Sequence, residues 1–571
     1  MLIHKMTVMP KKTCERLLTF CCKAIYRSRL KSREISTSAT HAQCPFKSLQ
    51  MQPVMSDARP EGFTAEQEMI EIIPEVPRLS EAKPFHEMPG PKGLRNVPVI
   101  GNRFHYAPYT KHKMESVVEM RKEYMEKYGK VYREVLGLGW VVHIHDPVDV
   151  ATMFSVEGKY PQRGFPSIFE VYDRREIGQI GMGSLIGEEW GRMRKAVQQK
   201  LMRPQHMRYF VTRMDRVAQD FINKIEQIAD SEGNVHNMRD ELQKYAVEEI
   251  SAVLFNHRFG CMNGELVKGS EADLLIQATD ELFKEFALST RVFPWFMLFR
   301  SSLYKRFKKA GDTIHSIGWK YMLKAMEVAI EKRKNGSNPE DESDFITALL
   351  QDENLNLDYV TTIAMDMFRG AVESTSNTLT FFLHTISRNP EKQERLHEEI
   401  NRLLPNRTPL SPAVLDHMPY LKACWKESFR YIFPLPAGAP RLLTKDAVMG
   451  GYHVPKGTPV FPENAVMCRM EEYFERADEY IPERWLRGEN SHLYRSPLSQ
   501  YILLPFGHGV RNCLGRRFAE QNVQVAAIKI LQNFRVECDI EKINVVAQIF
   551  QTTDTPLTVR FIPRSKSEKQ R

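Results

Sequence analysis

Apolar residues recur at helical spacing over most of the chain from Lys195 onward, and this pattern constrains the fold more than any other feature. It predicts long amphipathic helices, the clearest of them at Met207–Ile228, Ala310–Lys334 and Tyr359–Ser387. Strand-like alternation is confined to three short stretches, Val131–Ile144, Val454–Pro462 and Leu557–Ile562. The sequence therefore predicts a mainly α fold with a minor β part.

Domain organisation follows from where linker-like composition is found. A chain of 571 residues would by length alone allow several domains, but residues 84–565 contain no linker-like segment. We therefore expect one large domain over 84–565, followed by a basic tail at 566–571. With 42% hydrophobic and 26% charged residues, the composition is typical of a soluble globular protein and excludes a fibrous or wholly disordered chain.

Positive charge is concentrated at the N-terminus. Residues 1–50 contain ten Lys or Arg and two acids, so they carry +8 of the formal net charge of +9. The rest of the chain is nearly neutral. Because binding to phosphates requires a basic surface, this distribution argues against nucleic acid as a partner.

The basic segment has the composition of a targeting sequence. Residues 1–45 are rich in Arg and Ser and poor in acids, which is typical of a mitochondrial transit peptide. Among the bases from Lys5 to Arg33 the longest uncharged stretch, Leu17–Cys22, is far shorter than the roughly 20 residues that span a bilayer. A disordered basic tail that binds anionic surfaces is the alternative. Residues 46–83 are acidic and dotted with prolines, which predicts a linker.

Nine cysteines are scattered along the chain without a Cys-x-x-Cys pair. This indicates a reducing compartment, with neither a disulfide framework nor a cysteine zinc site. One of them, Cys513, lies in L-P-F-G-H-G-V-R-N-C-L-G-R-R-F-A-E, and helical periodicity runs from Leu514 to Phe534. At or just before a helix N-terminus, the free N–H groups and the positive end of the dipole stabilise a thiolate.

The neighbours of Cys513 suggest a flat, anionic ligand. Gly507 and Gly509 allow close approach of the backbone, and Arg511 can offer a forked cation to a carboxylate. A loop, a cysteine thiolate, an arginine and a helix are together what an axial haem-thiolate ligand requires. For a lone cysteine, the alternative is an inert buried thiol.

The stretch Phe506-x-x-Gly509-x-Arg511-x-Cys513-x-Gly515 resembles the haem-ligand signature of the cytochrome P-450 family. The resemblance covers roughly Pro84 to Arg564. It implies a single large cytochrome P-450 haem-thiolate fold, in which the Cys513 thiolate ligates haem b, Phe506 and Arg511 contribute to haem binding and dioxygen is the co-substrate.

Further motifs follow in the order that the family requires. The resemblance implies that Glu427 and Arg430 of E-x-x-R pair with Arg484 of Y-I-P-E-R-W as a structural unit on the haem side. An E-x-x-R alone would be an ordinary surface pair at helical spacing. The resemblance also implies that, besides Arg511, the haem propionates are held by Trp190, Arg194 and Arg441.

The helical segment M-F-R-G-A-V-E-S-T-S-N-T-L-T resembles the family's oxygen-activating helix. By this resemblance Gly370 and Ala371 leave room for dioxygen, Ser374 donates a hydrogen bond to it, and Glu373 relays protons. The usual hydroxyl residue is Thr, and here Ser374 takes its place with Thr375 next to it. The alternative is a core hydroxyl within a buried helix.

Basic residues indicate the electron donor. Lys422 and Lys426 lie four apart on one helix face, and lysines at these positions bind an acidic ferredoxin in the mitochondrial branch of the family. Arg516, Arg517 and the K-Y-P-Q-R segment at Lys159–Arg163 also match that branch. The resemblance implies a 2Fe-2S ferredoxin, fed by an NADPH-dependent ferredoxin reductase, and a location on the matrix side of the inner mitochondrial membrane. A solvated helix face is the alternative.

Val292–Phe299, followed by basic residues, suits shallow insertion into a membrane surface, with a core helix end as the alternative. The family layout implies a substrate pocket formed by four segments, Phe165–Ile180, Leu282–Phe296, Leu435–Ala439 and Gln551–Pro556.

The sequence as a whole indicates a haem-thiolate monooxygenase that inserts one oxygen atom into a C–H bond of a lipophilic substrate. Within the mitochondrial branch it is most similar to vitamin D and sterol side-chain hydroxylases, which implies a sterol or secosteroid substrate. Detoxification of foreign apolar compounds is the alternative within this class. Outside it, a haem-thiolate isomerase or dehydratase without an electron donor and a non-catalytic haem sensor are the alternatives.

Overall fold

Helices dominate the computed structural model, as the apolar periodicity predicts. It describes residues 78–564 except 138, 165–166, 202–203, 335–344, 351–354, 356, 406–407, 409 and 487–497. The predicted transit peptide, the predicted linker up to residue 77 and the predicted basic tail lie outside the described residues. Within the described part of the chain, none of the helices combines the length and the apolarity needed to cross a bilayer.

The α-helices are numbered here in chain order. They are α1 (Val117–Tyr128), α2 (Pro147–Ser155), α3 (Ile168–Tyr172), α4 (Gly187–Leu201), α5 (Pro204–Ile228), α6 (Met238–Leu254), α7 (Glu271–Arg291), α8 (Ser302–Lys334), α9 (Phe345–Leu350), α10 (Leu357–Ser387), α11 (Pro390–Leu403), α12 (Pro412–Asp416), α13 (Pro419–Tyr431), α14 (Asn464–Met467), α15 (Ser499–Ile502) and α16 (Arg516–Asn533). The three helices predicted most clearly are confirmed as α5, α8 and α10.

Local sequence signals explain where several helices begin. The Asp146 carboxylate accepts a hydrogen bond of 2.9 Å from the Val148 N–H, and Pro147 occupies the first turn of α2. The Ser270 hydroxyl accepts a hydrogen bond of 3.3 Å from the Asp273 N–H at the start of α7. Helices α1 to α3 are too short to give a strong apolar period, which is why the periodicity does not predict them.

The strands of the described residues are short and lie in four small sheets. They are β1 (Val131–Leu136), β2 (Gly139–Ile144), β3 (Asn234–Val235), β4 (Arg441–Leu442), β5 (Ala447–Met449), β6 (Tyr452–Val454), β7 (Pro459–Pro462), β8 (Phe534–Glu537), β9 (Val545–Ala547), β10 (Gln551–Thr553) and β11 (Val559–Pro563). The largest sheet has the order β1-β2-β7-β4, and the others are β3-β11-β8, β5-β6 and β9-β10.

The largest sheet combines both kinds of pairing. Strands β1 and β2 form an antiparallel hairpin in which Val131 lies opposite Ile144. Strand β2 then runs parallel to β7, with Val142 opposite Val460. Lys83, the last residue of the predicted linker, exchanges backbone hydrogen bonds of 2.8 and 2.9 Å with the β5-β6 hairpin, so ordered pairing begins one residue before the predicted boundary.

Two hydrophobic clusters form most of the core. The larger joins α5, α6, α7, α8, α10 and α16, and α10 packs against α6, α7, α8, α11, α13 and α16. The smaller surrounds the β1-β2-β7-β4 sheet. The central place of α10 means that residues on its different faces contact different parts of the protein.

A buried charged network, which the sequence analysis does not predict, lies beside the β1-β2-β7-β4 sheet. His143 is fully buried; its Nδ1 lies 2.7 Å from Glu463 Oε1 and its Nε2 lies 2.9 Å from Glu134 Oε1. Arg121 donates a hydrogen bond of 3.1 Å to the second Glu463 oxygen. The network links residues far apart in the chain, so local sequence gives no signal for it.

Candidate active site

Cys513 lies three residues before the first residue of α16, which confirms the predicted position near a helix N-terminus. Its backbone N–H donates a hydrogen bond of 2.8 Å to the Phe506 carbonyl, which closes the loop. The Gly515 N–H donates to the Cys513 thiol. Among the described cysteines, Cys513 is exposed, whereas Cys261, Cys424, Cys468 and Cys538 are buried.

The loop requires a glycine at position 509 for two reasons. Gly509 has φ +70°, in the left-handed region that residues with a Cβ avoid. A Cβ placed there would also lie only 2.7 Å from Glu157 Oε1. The close approach of Glu157 thus explains the second glycine of the G-H-G motif, which the sequence analysis attributed only to ligand access.

The electrostatic environment of Cys513 differs from what a helix N-terminus alone would produce. Although the Cys513 side chain is exposed beside the loop, desolvation by the surrounding protein raises the pKa of its thiol, while the Gly515 N–H and the positive charges of Arg194 and Arg163 act in the opposite direction. The net shift is upward. The protein environment by itself therefore favours the thiol, and binding of a metal ion would release the proton, as it does at thiolate sites in general.

Two of the predicted propionate partners lie against each other. The Arg511 guanidinium stacks 4.7 Å from the Trp190 ring, and Trp190 is only 3% exposed. Arg511 also donates hydrogen bonds of 2.6 Å to the carbonyls of Pro161 and Leu185. These contacts fix the guanidinium between the cysteine loop and α4.

Arg194 and Arg441 reach the same loop from other elements. Arg194 of α4 donates a hydrogen bond of 2.5 Å to the Asn512 side chain, next to Cys513. Arg441 of β4 is fully buried, pairs with Glu157 and donates a hydrogen bond of 3.2 Å to the His508 carbonyl. The structure therefore brings all the predicted propionate partners to the cysteine loop.

Arg163 is a further member of this cluster to which the sequence analysis assigned no haem contact. It belongs to the K-Y-P-Q-R segment, and its charge acts on both Cys513 and Arg511. Burial and the positive charges of Arg163, Arg441 and Arg194 lower the pKa of Arg511 to about 9. The K-Y-P-Q-R segment, which matches the mitochondrial branch, was the sequence signal from which a role for Arg163 could have been predicted.

The arginine cluster carries an excess of positive charge that fits a dianionic ligand. Glu157 is the carboxylate that raises the pKa of Arg511, and it acts against three neighbouring arginines that lower it. Gly370 adds an open helix face, because a Cβ there would meet nothing within 4 Å. An exposed thiol, an open face and uncompensated arginines fit a haem with its two propionates.

Ser374 lies on the open face of α10. Its hydroxyl donates a hydrogen bond of 2.7 Å to the Gly370 carbonyl one turn earlier, so its oxygen lone pairs face the space beside the helix. Ala371 on this face is half-buried, whereas Thr375 is only 4% exposed. The structure thus presents Ser374, rather than Thr375, to the space beside α10.

Glu373 points to a different side of α10. It is only 2% exposed and accepts hydrogen bonds of 2.9 Å from Arg239 and 2.8 Å from Asn377. Gln243 donates to its second oxygen at 3.3 Å. Successive residues on a helix do not share a face, so the predicted acid and hydroxyl lie in different surroundings.

Two small cavities lie beside α10, and one of them reaches the cysteine loop. One is lined by Met367 of α10 together with Leu514 and Gly515. The other is lined by Ser374 together with Phe429, whose ring packs 5.7 Å from Phe506. The first cavity therefore lies between α10 and the cysteine loop, and the second is connected to that loop through the contact of Phe429 with Phe506.

Contacts join the first predicted pocket segment to the second and the third to the fourth, and Phe550, the residue just before the fourth segment, also contacts the second. The Phe169 and Phe286 rings lie 4.8 Å apart, and the Phe283 and Phe550 rings lie 5.5 Å apart. The Gln551 side chain donates a hydrogen bond of 3.1 Å to the Leu435 carbonyl. Phe165 and Pro166 of the first segment lie outside the described residues.

Glu427 is the centre of a buried ion cluster on α13. It accepts hydrogen bonds of 2.8 and 3.0 Å from Arg430 and of 3.1 Å from Arg484. The Trp485 indole and the Ile481 N–H also donate to it, at 2.8 and 2.9 Å. Because Glu427 is fully buried and fully hydrogen-bonded, the cluster fixes the segment after Tyr480 onto α13.

The basic face, defined as Lys422, Lys426, Arg516 and Arg517, combines α13 with the start of α16. The Lys426 ammonium lies 5.7 Å from the Trp485 ring centre, and Lys422 donates a hydrogen bond of 3.0 Å to a backbone carbonyl of the preceding turn. Arg516 lies 5.7 Å from the Phe506 ring centre. The face therefore borders the cysteine loop.

Comparison with known proteins gives consistent matches over most of the chain. The family model described as Cytochrome P450 matches residues 91–555. The mouse (Mus musculus) protein named 1,25-dihydroxyvitamin D(3) 24-hydroxylase, mitochondrial, is 30% identical over 496 residues, covering 86% of this chain and 92% of the relative. Cytochrome P450 10 of Lymnaea stagnalis is 29% identical over 492 residues, covering 86% and 88%. Cytochrome P450 302a1, mitochondrial, of Drosophila melanogaster is 30% identical over 463 residues, covering 80% and 90%.

Proposed function

The chain belongs to the cytochrome P450 family, in the branch with mitochondrial members, and is a haem-dependent monooxygenase; from this premise we propose that it hydroxylates a sterol or secosteroid with electrons from a 2Fe-2S ferredoxin. The haem, held by a cysteine thiolate, supplies the activation of dioxygen that allows one oxygen atom to enter a C–H bond. The residues of this chain then have to bind the haem, orient the substrate and deliver protons to the oxygen.

Cys513 is the proposed iron ligand, and the loop around it holds the sulfur in place. The Cys513 N–H is bonded to the Phe506 carbonyl, and the Gly515 N–H donates to the sulfur. A hydrogen bond to a thiolate ligand disperses its charge and tunes the metal. Trp190 and the arginines Arg163, Arg194, Arg441 and Arg511 are proposed to hold the propionates.

Ser374 and Glu373 divide the handling of protons on α10. The Ser374 hydroxyl faces the space beside Gly370 and can form hydrogen bonds to an oxygen ligand there. Glu373 lies on the other side of the helix and is the acid that we propose to relay the proton. A change of the Glu373 side-chain rotamer would carry the proton towards Ser374.

The basic face supports an acidic electron donor. Lys426, Arg516 and Arg517 are exposed and Lys422 is half-buried, and Phe506 joins Arg516 to the Cys513 backbone. Charge complementarity of this kind steers encounter and sets orientation more than affinity. We assign this face to the ferredoxin and propose a location on the matrix side of the inner mitochondrial membrane, where the mitochondrial branch meets that donor.

Exposed apolar side chains support peripheral contact with that membrane. Trp295 is 45% exposed and Phe299 is 53% exposed, whereas Phe296 between them is buried. Ile100, on a neighbouring segment, is 46% exposed, and that segment is bonded to α7 by Asn102. Aromatic and aliphatic residues followed by bases suit the headgroup region of a bilayer.

The substrate class rests on one observation, the similarity to the mouse 1,25-dihydroxyvitamin D(3) 24-hydroxylase over 92% of its length. The Phe169 ring of the first predicted pocket segment contacts the Phe286 ring of the second, and such an aromatic lining suits a rigid apolar ligand.

Spectral titration of the purified holoenzyme tests this proposal. Sterols, secosteroids, fatty acids and foreign apolar compounds are added separately, and the Soret band reports displacement of the water on the iron. We expect a saturable high-spin shift with one group of sterols or secosteroids. Weak shifts across unrelated apolar compounds would contradict the sterol assignment and favour detoxification.

A further inference from the structure

Three helices meet around the Glu373 carboxyl, which the sequence analysis treated in isolation. Helix α6 contributes Arg239 and Gln243, and α10 contributes Asn377 one turn after Glu373. Helix α7 contributes Asp280, whose carboxyl accepts a hydrogen bond of 2.5 Å from Gln243. The buried acid of the oxygen helix is therefore part of a continuous polar cluster.

Most partners of Glu373 cannot give it a proton. Arg239 remains protonated, and its pKa is raised further because the charges of Glu373 and Asp280 outweigh its burial. The side chains of Gln243 and Asn377 are carboxamides, which do not titrate. These three groups can orient and stabilise the Glu373 carboxylate, but a proton that reaches it has to come from an acid.

Asp280 is an acid in the right place. Gln243 donates hydrogen bonds to both the Asp280 and the Glu373 carboxyls, and Arg239 pairs with both. Of the Asp280 side chain 43% is accessible to water, compared with 3% for Glu373. Partial desolvation by the neighbouring helices raises the pKa of Asp280 to about 6, and the negative charge of Glu373 contributes to the rise. At near-neutral pH such a group takes up and releases protons readily.

We propose that Asp280 is the residue through which protons from solvent reach Glu373 during the monooxygenase reaction. Water protonates the Asp280 carboxylate, the proton passes to the Glu373 carboxylate, and Asp280 returns to its ionised form. The transfer is a net movement of one proton and needs no other reactant. Asp280 acts through Glu373 and does not touch the reacting atoms.

The other charged groups near Asp280 are cations or acids that face away from Glu373. Arg239 lies 3.5 Å from Asp280 and opposes its protonation, which keeps its pKa within reach of neutral pH. Arg306 of α8 pairs instead with Glu281 and Glu285, on another side of α7. Removing Asp280 thus removes the water-accessible acid of the cluster without breaking a buried ion pair.

An infrared titration of the full-length holoenzyme tests the first step directly. We expect a carbonyl band of a protonated carboxyl that titrates near pH 6 in the wild type and disappears in Asp280→Asn. Glu281→Gln is the matched control, because it removes the neighbouring acid of α7, which lies 3.7 Å from Arg306 and 3.8 Å from Lys284. The control should keep the band.

Coupling between the two acids gives a second readout. Because the Glu373 charge raises the pKa of Asp280, Glu373→Gln should move the midpoint of the Asp280 band to lower pH. An unchanged midpoint would overturn the proposed contact. So would a wild-type band that persists in Asp280→Asn.

Turnover with ferredoxin gives the functional readout. In Asp280→Asn we expect a loss of about tenfold, a larger kinetic solvent isotope effect and loss of the pH dependence near neutrality, because proton transfer becomes limiting. Glu281→Gln should match the wild type. Equal rates and equal isotope effects in Asp280→Asn and the wild type would overturn the proposal.

Asp280→Glu tests whether the loss of turnover in Asp280→Asn comes from the missing carboxyl or from a disturbed structure. It keeps a carboxyl and should restore the band and most of the turnover, whereas a variant as slow as Asp280→Asn would contradict the relay. The inference rests on the proposed function, yet the two can fail separately. A wild type that shows the thiolate-shifted band with carbon monoxide but oxidises none of the compounds tested would refute the proposed function and leave the infrared result intact.

Discussion

Replacing His143 with Gln tests how much the buried charged network stabilises the protein. In the native structure His143 bridges two buried carboxylates, Glu134 at 2.9 Å and Glu463 at 2.7 Å. A glutamine amide can donate to one of them, but its oxygen then faces the other. His143→Gln therefore leaves a buried carboxylate without a compensating donor.

The size of the effect follows from burial. Removing one partner of a buried ion pair costs about 3–5 kcal/mol. The unfolding entropy is about 2.1 cal/mol/K per residue, and the predicted domain has roughly 480 residues. A loss of about 1 kcal/mol in the free energy of unfolding therefore lowers Tm by about 1 °C. We therefore expect Tm to fall by about 3–5 °C at pH values where His143 is charged.

The pH dependence gives the prediction its sign. Burial alone would lower the pKa of His143, but Glu134 and Glu463 raise it above the usual value. This stabilisation is complete below the unfolded pKa of about 6.5 and is lost as the pH rises through the folded pKa. Burial alone would raise the pKa of Glu134, but His143 is the chief group that lowers it, to about 2. The stabilisation of the folded state by the Glu134 carboxylate is therefore lost only in acid, between about pH 4.5 and pH 2.

Thermal unfolding followed by circular dichroism at about pH 6 and about pH 9 measures both effects. The difference in Tm between the wild type and His143→Gln should be larger at about pH 6 and smaller at about pH 9. His236→Gln is the control, because His236 is 66% exposed and lies 3.5 Å from Asp230. A His143 variant that unfolds like this control at both pH values would refute the reasoning.

Three further predictions concern the proposed active site and its donor. Changing Lys422 and Lys426 together to Gln should weaken ferredoxin-driven turnover and flatten its salt dependence while haem content is unchanged, as steady-state kinetics at several ionic strengths will show. Cys513→Ser should abolish the thiolate-shifted absorption of the reduced carbon monoxide complex, since the sulfur is the proposed ligand. Gly509→Ala should lower haem retention, because its φ of +70° is strained for alanine and the new Cβ would lie 2.7 Å from Glu157, and the absorbance ratio of the haem to the protein will measure this.

Matched controls separate these effects from general damage. Changing Lys320 and Lys324 of α8 to Gln removes two charges at the same spacing on another helix and should leave kinetics unchanged. Cys538→Ser changes a buried free cysteine and should retain the thiolate spectrum. Gly451→Ala has a similar φ of +79° but no atom within 4 Å of the added Cβ, so haem retention should follow the wild type. If a control behaves like its test variant, the corresponding assignment is wrong.

The sequence predicted the elements whose signal is local. Long amphipathic periods predicted α5, α8 and α10, and the glycines with the following period predicted the loop of Cys513 at the start of α16. Helices α1 to α3 and the β5-β6 hairpin were not predicted. Their segments are too short for a period to emerge, and their stability comes from packing against the rest of the protein.

The sequence by itself determined the family, the identity of the proposed ligand and the mainly α architecture, because these are carried by motifs within about 20 residues or by helical periods. Only the tertiary structure decided which charges meet. Asp280 and Glu373 come from different helices, and Glu134, His143 and Glu463 from three strands or their ends. Electrostatic energy depends on distance and burial in space, and neither can be read from the spacing of residues along the chain.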